Sequence, residues 1–138
     1  MSHSKNSTRC HSTPWGIADS MKIIAPGITW YSTPSHGGYH LSDERIKAMP
    51  PALRDFKPWA GEGWYEEDCD WCVVVLAFPE YFSDHVSDHD AARKTLKHYQ
   101  WRVYEAHFNT VLNRGESRRK DEELEKAGNQ FGFAGGAA

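Results

Sequence analysis

The sequence predicts a domain of the α+β class, in which a small antiparallel sheet packs against two or three helices. Residues rich in β-branched and aromatic side chains surround two turn signals between positions 22 and 41. Capped and amphipathic segments come later, up to about position 113. This separation of strand signals from helix signals along the chain is typical of α+β domains.

A three-stranded antiparallel meander is expected over residues 22–41. Two β-prone segments flank the turn signal at residues 25–27, Ala-Pro-Gly, which predicts a hairpin. A second turn leads into a third β-prone segment. Gly37 and Gly38 are expected to supply the positive φ angles that this second tight turn requires.

Helices are expected after the meander. Ser42 is a candidate N-cap of a short helix that ends before Pro50. Residues 66–78 are predicted to form a buried helix, although their three consecutive valines are also typical of a strand. The longest helix is expected over about 88–113, where apolar residues recur at intervals of three and four.

The 138 residues of the chain fit one domain. Residues 1–12 are polar and aperiodic, which predicts a disordered arm. The globular domain is expected over 13–115, followed at 116–138 by a charged extension and a flexible Gly/Ala tail. No apolar run approaches the ~18 residues of a membrane span, and no signal peptide is recognised, so a cytoplasmic location is expected.

The net charge of −3 conceals two oppositely charged segments. Residues 62–90 contain nine acidic residues and no Lys or Arg, whereas residues 93–120 contain eight basic residues and two acidic ones. The mild overall acidity argues against a generally basic nucleic-acid binder. The asymmetry indicates either a charged partner or two complementary faces of one domain.

The acidic segment is the first candidate for a partner-binding surface. A Gly-rich loop beside it contains three large aromatic residues, a residue type that concentrates in binding hot spots. Packing in the core is the alternative explanation for these aromatic side chains. The candidate residues are Glu62, Glu66, Glu67, Asp68, Asp70, Trp59, Trp64 and Tyr65.

The basic segment suggests a different function, direct binding of nucleic acid along the helix at 93–120. Clustered basic side chains would contact phosphates and make the affinity strongly dependent on salt. A solvated helix face explains the same pattern without a partner. The residues concerned are Arg93, Lys94, Lys97, Arg102, Arg118, Arg119 and Lys120.

A possible zinc-binding pattern combines Cys69, Cys72, His85 and His89, because its spacing matches that of a zinc finger. The intervening apolar run is too long for a small finger to bury, so buried core thiols are the preferred interpretation. Four nearby carboxylates would raise a thiol pKa, which argues against a redox pair. No metal or cofactor is expected.

A metal-dependent hydrolase or modifying enzyme is an alternative function. It would use His36 and His40 together with nearby carboxylates. The sequence contains neither a Gly-rich phosphate loop nor a Gly-x-Ser-x-Gly element. No set of catalytic residues is therefore assigned, and a non-enzymatic role is preferred.

Three sequence blocks also resemble a known family. They are Thr-Pro-Trp-Gly at 13–16, Ser-Thr-Pro-Ser-His-Gly-Gly-Tyr-His-Leu-Ser at 32–42, and Gly-Trp-Tyr-Glu-Glu-Asp-Cys-Asp-Trp at 63–71 with Ala-Phe-Pro-Glu at 77–80. Over roughly residues 13–82 the chain is similar to small domains encoded on bacterial plasmids, phages and integrated mobile elements. The resemblance implies a mobile-element protein in a bacterial cytoplasm, and it brings no catalytic residues.

A non-enzymatic macromolecule-binding protein is therefore the expected function. Its acidic segment would present carboxylates where a basic nucleic-acid-binding protein expects phosphates. Small anti-CRISPR and antirestriction proteins often inhibit host defence in this way, and the analogy is one of functional class. The expected partner is a protein, direct nucleic-acid binding is less favoured, and no membrane partner is expected.

Overall fold

A computed structural model of the chain describes residues 11–82 and 86–130. Within these ranges, helices and two antiparallel sheets confirm the α+β class. Residues 1–10, which form most of the predicted arm, and residues 131–138 of the predicted tail lie outside the described residues. The predicted domain limits therefore stay a prediction.

The described chain has six strands, six α-helices and one 3₁₀ helix. The strands are β1 (Ser12–Thr13), β2 (Gly16–Ile17), β3 (Ser20–Ala25), β4 (Ile28–Ser32), β5 (Gly37–Leu41) and β6 (Trp64–Glu66). The helices are α1 (Asp43–Ala48), α2 (Pro51–Asp55), α3 (Trp71–Ala77), α4 (Val86–Tyr99), α5 (Trp101–Phe108) and α6 (Arg118–Gln130), and the 3₁₀ helix is Pro79–Phe82.

The main sheet has four antiparallel strands in the order β3-β4-β5-β6, so the prediction of three strands is wrong. The expected meander forms its first three strands. Strand β6 adds to the edge, with Tyr65 opposite Tyr39 and Trp64 opposite His40. A strand of three residues is too short to show the alternation that identifies a strand in sequence. The short hairpin β1-β2 forms a separate sheet.

The prediction that Gly37 and Gly38 supply positive φ angles is also wrong, because both lie inside β5 and neither has a positive φ. A Cβ atom on Gly37 would lie 2.8 Å from the ring of Trp30. On Gly38 it would collide with the ring of Trp15 and lie 2.7 Å from the carbonyl oxygen of Tyr65. These glycines therefore permit close packing on both faces of the strand.

The helix predicted over 66–78 is shorter than expected. Glu66 ends β6, a turn follows, and α3 begins only at Trp71. The backbone N–H groups of residues 68–70 donate to the Glu66 carboxylate, which closes a turn in place of a first helical turn. The valines are helical and fully buried, so the helical interpretation of this run is confirmed.

The single long helix predicted over 88–113 is two helices. Gln100 separates α4 from α5 with non-helical φ and ψ of −131° and 60°. Apolar residues continue on one side of both helices, so their periodicity does not reveal the break. Asn109, in the left-handed conformation at φ 52°, ends α5.

The core lies between the sheet and helices α3 and α4. Its members share near-complete burial of apolar side chains, which is the main favourable term in folding. They include Ile28, Leu41, Leu53, Tyr65, Val73, Val74, Val75, Phe78, Ala92 and Leu96. None of the helices in the described ranges is long and apolar enough to cross a membrane.

Candidate functional site

A cavity of about 440 Å³ opens where five chain segments meet. The segments are the β1-β2 turn, the β4-β5 loop, the loop before β6, the β6-α3 turn and the α4-α5 junction. Two tryptophans and three carboxylates are prominent among its lining residues. The lining comprises Trp15, His36, Trp59, Glu66, Asp68, Cys69, Asp70 and Gln100.

Trp15 is positioned by the tight turn between β1 and β2. The Thr13 hydroxyl accepts a hydrogen bond from the Trp15 backbone N–H at 3.1 Å and donates to the Gly16 carbonyl at 2.6 Å. The indole packs edge-to-face on Trp64, with ring centroids 5.8 Å apart, and covers Gly38. One wall of the cavity is therefore fixed against the main sheet.

Glu66 organises the turn on the opposite side. One carboxylate oxygen accepts from the Asp68 N–H at 2.7 Å, and the other accepts from the N–H groups of Cys69 at 2.7 Å and Asp70 at 3.0 Å. Three backbone donors ahead of α3 are satisfied by this one side chain. Glu66 therefore holds the loop as well as contributing charge.

Asp70 ties the Trp59 loop to this turn. Its carboxylate accepts the Trp59 backbone N–H at 3.1 Å, while the residue itself is 3% exposed. Burial raises the pKa of the Asp70 carboxyl, and the neighbouring Glu66 charge raises it further. The Trp59 side chain is 85% exposed although its backbone is fixed.

The carboxylates around the cavity lack cationic partners. In the described ranges, no Lys or Arg nitrogen lies within 4.0 Å of a carboxylate oxygen of Glu66, Asp68 or Asp70. Burial and the charges of Glu62 and Asp70 raise the pKa of Tyr65 to about 12. The cavity lining itself contains three acidic side chains and no Lys or Arg among the described residues.

A comparison with protein families matches residues 8–130 to the Domain of unknown function (DUF7007). The chain belongs to this family. Searches of curated proteins and of solved structures returned no match. The family description states no activity.

The eight predicted partner-binding residues differ in exposure and in role. Glu62, Glu67 and Asp68 are exposed with Trp59, and Trp64 is half-buried. Tyr65 is 1% exposed and packs in the core, which leaves almost none of its surface for a partner to contact. Glu66 and Asp70 have mainly an internal role, because their oxygens accept the backbone hydrogen bonds that build the cavity.

The thiols of the DUF7007 domain are poorly suited to redox or nucleophilic chemistry. Burial and nearby carboxylates raise the pKa of Cys69, and burial above all raises that of Cys72. The Cys72 thiol donates to the Cys69 carbonyl at 3.1 Å. The raised pKa values disfavour the thiolate form of both residues, and the hydrogen bond from Cys72 disfavours its own thiolate.

The predicted zinc-binding combination is not assembled by the described side chains. His85 lies outside the described residues, and His89 has a buried Nε2 without a hydrogen-bond partner among them. No group of three His, Cys, Asp or Glu side chains in the described ranges is arranged to hold a metal ion.

His36 and His40 occupy different surroundings. His40 stacks on Trp64 with ring centroids 4.4 Å apart, and burial lowers its pKa while the charge of Asp43 opposes that shift. His36 is exposed, and its Nδ1 lies 3.9 Å from the Glu67 carboxylate. Of the two, His36 is the one that lines the cavity.

Most of the predicted nucleic-acid-binding residues have partners on the three C-terminal helices, either within one helix or on a neighbouring one. Lys94 pairs with Asp90, Arg102 with Glu123, Arg119 with Glu122 and Lys120 with Glu105. Lys97 lies over the ring of Tyr104. Arg93 and Arg118 are exposed and form no ion pair with the described residues.

Sequence reasoning missed two lining residues, Trp15 and Gln100. Trp15 is in a recognisable turn motif, but nothing in the sequence connects it with Trp59. The three blocks that resemble mobile-element domains do provide a signal, since each contributes to the cavity. Trp15 comes from the first block, His36 from the second, and residues 66–70 from the third.

Proposed function

We propose that this domain is a non-enzymatic binding protein that presents an acidic surface to a basic, nucleic-acid-binding protein. The acidic surface consists of the exposed acids Glu62, Glu67 and Asp68 together with the exposed indole of Trp59, which borders the same cavity as Asp68. The observation that supports this proposal most is the exposed Trp59 beside carboxylates that have no cationic partner.

Trp59 has the properties of an interface anchor. Its side chain is 85% exposed, whereas its backbone is fixed by the bond to Asp70. A large aromatic side chain held in this way exposes apolar area and loses little conformational freedom on binding. Carboxylates around such an anchor select a basic partner and accelerate its association.

An enzymatic function receives less support from the same geometry. The thiol of Cys69, which lines the cavity, and the buried thiol of Cys72 both have raised pKa values. The histidines that sequence analysis considered for a hydrolase do not join a three-ligand cluster within the described residues. Binding requires none of these groups to react.

The resemblance to domains of mobile elements suggests where such a partner is found. A mobile element benefits from blocking a host nuclease, and surface carboxylates can occupy a channel that normally binds phosphates. We therefore propose a role in countering bacterial defence, as anti-CRISPR or antirestriction proteins do. This part of the proposal depends on the resemblance.

A capture experiment with a neutralised variant tests the proposal. The variant Glu62→Gln/Glu67→Gln/Asp68→Asn removes the exposed charges and leaves Glu66 and Asp70 to hold the loop. We expect the wild-type domain to capture a basic protein from bacterial lysate, and duplex DNA to release it. We expect the neutralised variant to capture much less.

A second triple variant provides the matched control. Glu44→Gln/Glu80→Gln/Glu125→Gln changes the net charge by the same amount at exposed positions elsewhere. It should capture the partner as the wild type does. Equal capture by all three proteins, or a captured protein that DNA does not displace, would contradict the proposal.

A further inference from the structure

We propose that the cavity between Trp15 and Trp59 binds an arginine side chain of the protein partner. This inference rests on the proposed function and names the chemical group that the acidic surface recognises. It follows from the aromatic walls, from the unbalanced charge and from the rigidity of the cavity.

The lining combines the two features that attract an organic cation. The indole is the aromatic group that binds cations best through its ring face, and two indoles border the cavity. Glu66, Asp68 and Asp70 add carboxylates on the same lining. An apolar ligand would leave these carboxylates desolvated, whereas an anion would be repelled.

The buried carboxylate of Asp70 is the observation that most favours a cationic ligand. This residue is 3% exposed, and in the described part of the chain its carboxylate has the Trp59 N–H but no Lys or Arg within 4.0 Å. A buried carboxylate is costly unless a positive charge accompanies it. A bound cation would supply that charge.

A guanidinium group fits these surroundings better than a metal ion or an ammonium group. No three side chains of the described residues are arranged as metal ligands. A guanidinium is planar and weakly hydrated, so it stacks on an indole while its N–H groups reach carboxylates. The volume of about 440 Å³ lies within the ~300–1,000 Å³ of typical ligand pockets.

The cavity is also held in shape before any ligand arrives. Thr13 fixes the Trp15 backbone, Asp70 fixes the Trp59 backbone, and Glu66 fixes the turn that includes Asp68. Preorganisation of this kind reduces the entropy lost on binding. An arginine side chain would therefore enter a site that needs little rearrangement.

Titrations with decaarginine and decalysine peptides test the inference. We expect the wild-type domain to bind decaarginine more tightly than decalysine. Trp59→Ala and Asp68→Asn should each weaken decaarginine binding by at least about fivefold and reduce the preference for arginine. Both side chains are exposed, so neither substitution removes core packing.

Matched controls are Val111→Ala, which truncates another exposed apolar side chain, and Glu80→Gln, which removes an exposed charge elsewhere. Both should bind decaarginine like the wild type. In amide NMR spectra, the peptide should shift the indole N–H signals of Trp15 and Trp59.

The outcomes separate this inference from the proposed function. If Trp59→Ala and Asp68→Asn bind like the wild type while Glu62→Gln/Glu67→Gln/Asp68→Asn loses binding, the cavity assignment is wrong and the acidic surface stands. If the two control variants weaken binding as much as Trp59→Ala and Asp68→Asn do, the peptide is held by nonspecific attraction and the cavity assignment is wrong. If the wild type binds neither peptide, both proposals are contradicted.

Discussion

A single residue, Glu66, accepts three backbone hydrogen bonds through its carboxylate. Its position at the end of β6 brings its oxygens over the N–H groups of residues 68–70. A hydrogen bond to a charged group contributes more to stability than one between neutral groups. The turn that carries Asp68 and Asp70 into the cavity therefore depends on this side chain.

Replacing Glu66 by Gln tests this role. The amide NH₂ of Gln would face one of the backbone donors, leaving a donor opposite a donor. We expect Glu66→Gln to lower the free energy of unfolding by about 1–3 kcal/mol, measured by urea denaturation. The exposed neighbour provides the control, since Glu67→Gln should change it by less than about 0.5 kcal/mol. Equal stability of the two variants would argue against the role of the Glu66 carboxylate in holding the turn.

Asp70 makes stability depend on pH. Because its folded-state pKa lies above the unfolded value, the folded state favours the protonated form. This contribution is present at low pH and is lost as the pH rises through the folded pKa. Asp70→Asn removes the penalised charge and keeps an acceptor for the Trp59 N–H. We therefore expect a higher melting temperature than wild type at pH 7, and a smaller difference in acid.

Helix α6 contacts the preceding helices at several points, and at one of them a single ammonium group reaches two other segments. The Lys120 Nζ donates to the Glu105 carboxylate at 2.6 Å and to the Leu112 carbonyl at 2.8 Å. The same carboxylate accepts the Leu112 N–H at 2.8 Å. Lys120 thus joins α6 to α5 and to the segment that follows α5.

Lys120→Met should loosen this helix. Hydrogen exchange of the α6 amides should become faster, while the amides of the main sheet keep their protection. The hydrogen bond from Lys120, followed by that from Leu112, lowers the pKa of Glu105. Its stabilising contribution is present above the unfolded pKa and is lost as the pH falls through the folded one. Unchanged exchange in the variant would contradict this account.

Local signals decided which elements could be predicted. The β3-β4 hairpin was predictable because a Pro-Gly turn with Gly27 at φ 84° separates two β-prone segments. Helix α1 was predictable because Ser42 caps it, with its hydroxyl accepting the Arg45 N–H. Strand β6 and the break at Gln100 have no periodic signal of their own.

The cavity was not predictable for a related reason. A Gly-Gly pair suggests a turn when read locally, but here Gly38 makes room for the Trp15 ring. That long-range contact brings Trp15 to the site that Trp59 borders. The acidic residues were recognised in sequence, yet the split between exposed acids and acids that hold the loop depends on tertiary hydrogen bonds.

The distribution of charge is the main feature at the scale of the whole molecule. The basic segment is neutralised largely by acids of helices α5 and α6, through the pairs of Arg102 with Glu123 and Lys120 with Glu105. From the acidic segment, Asp90 is the one residue that pairs with a lysine among the described residues. The two segments therefore form few ion pairs with each other among the described residues, as the proposed binding of a partner by the acidic surface requires.

The most direct test of this account is a titration of the labelled domain with decaarginine, followed by fluorescence anisotropy at low and high salt. We predict saturable binding by the wild type that weakens with salt, and the same binding by Glu44→Gln/Glu80→Gln/Glu125→Gln. The variant Glu62→Gln/Glu67→Gln/Asp68→Asn, with the same net charge as that control, should bind much more weakly. Equal binding by the two triple variants would contradict the central claim.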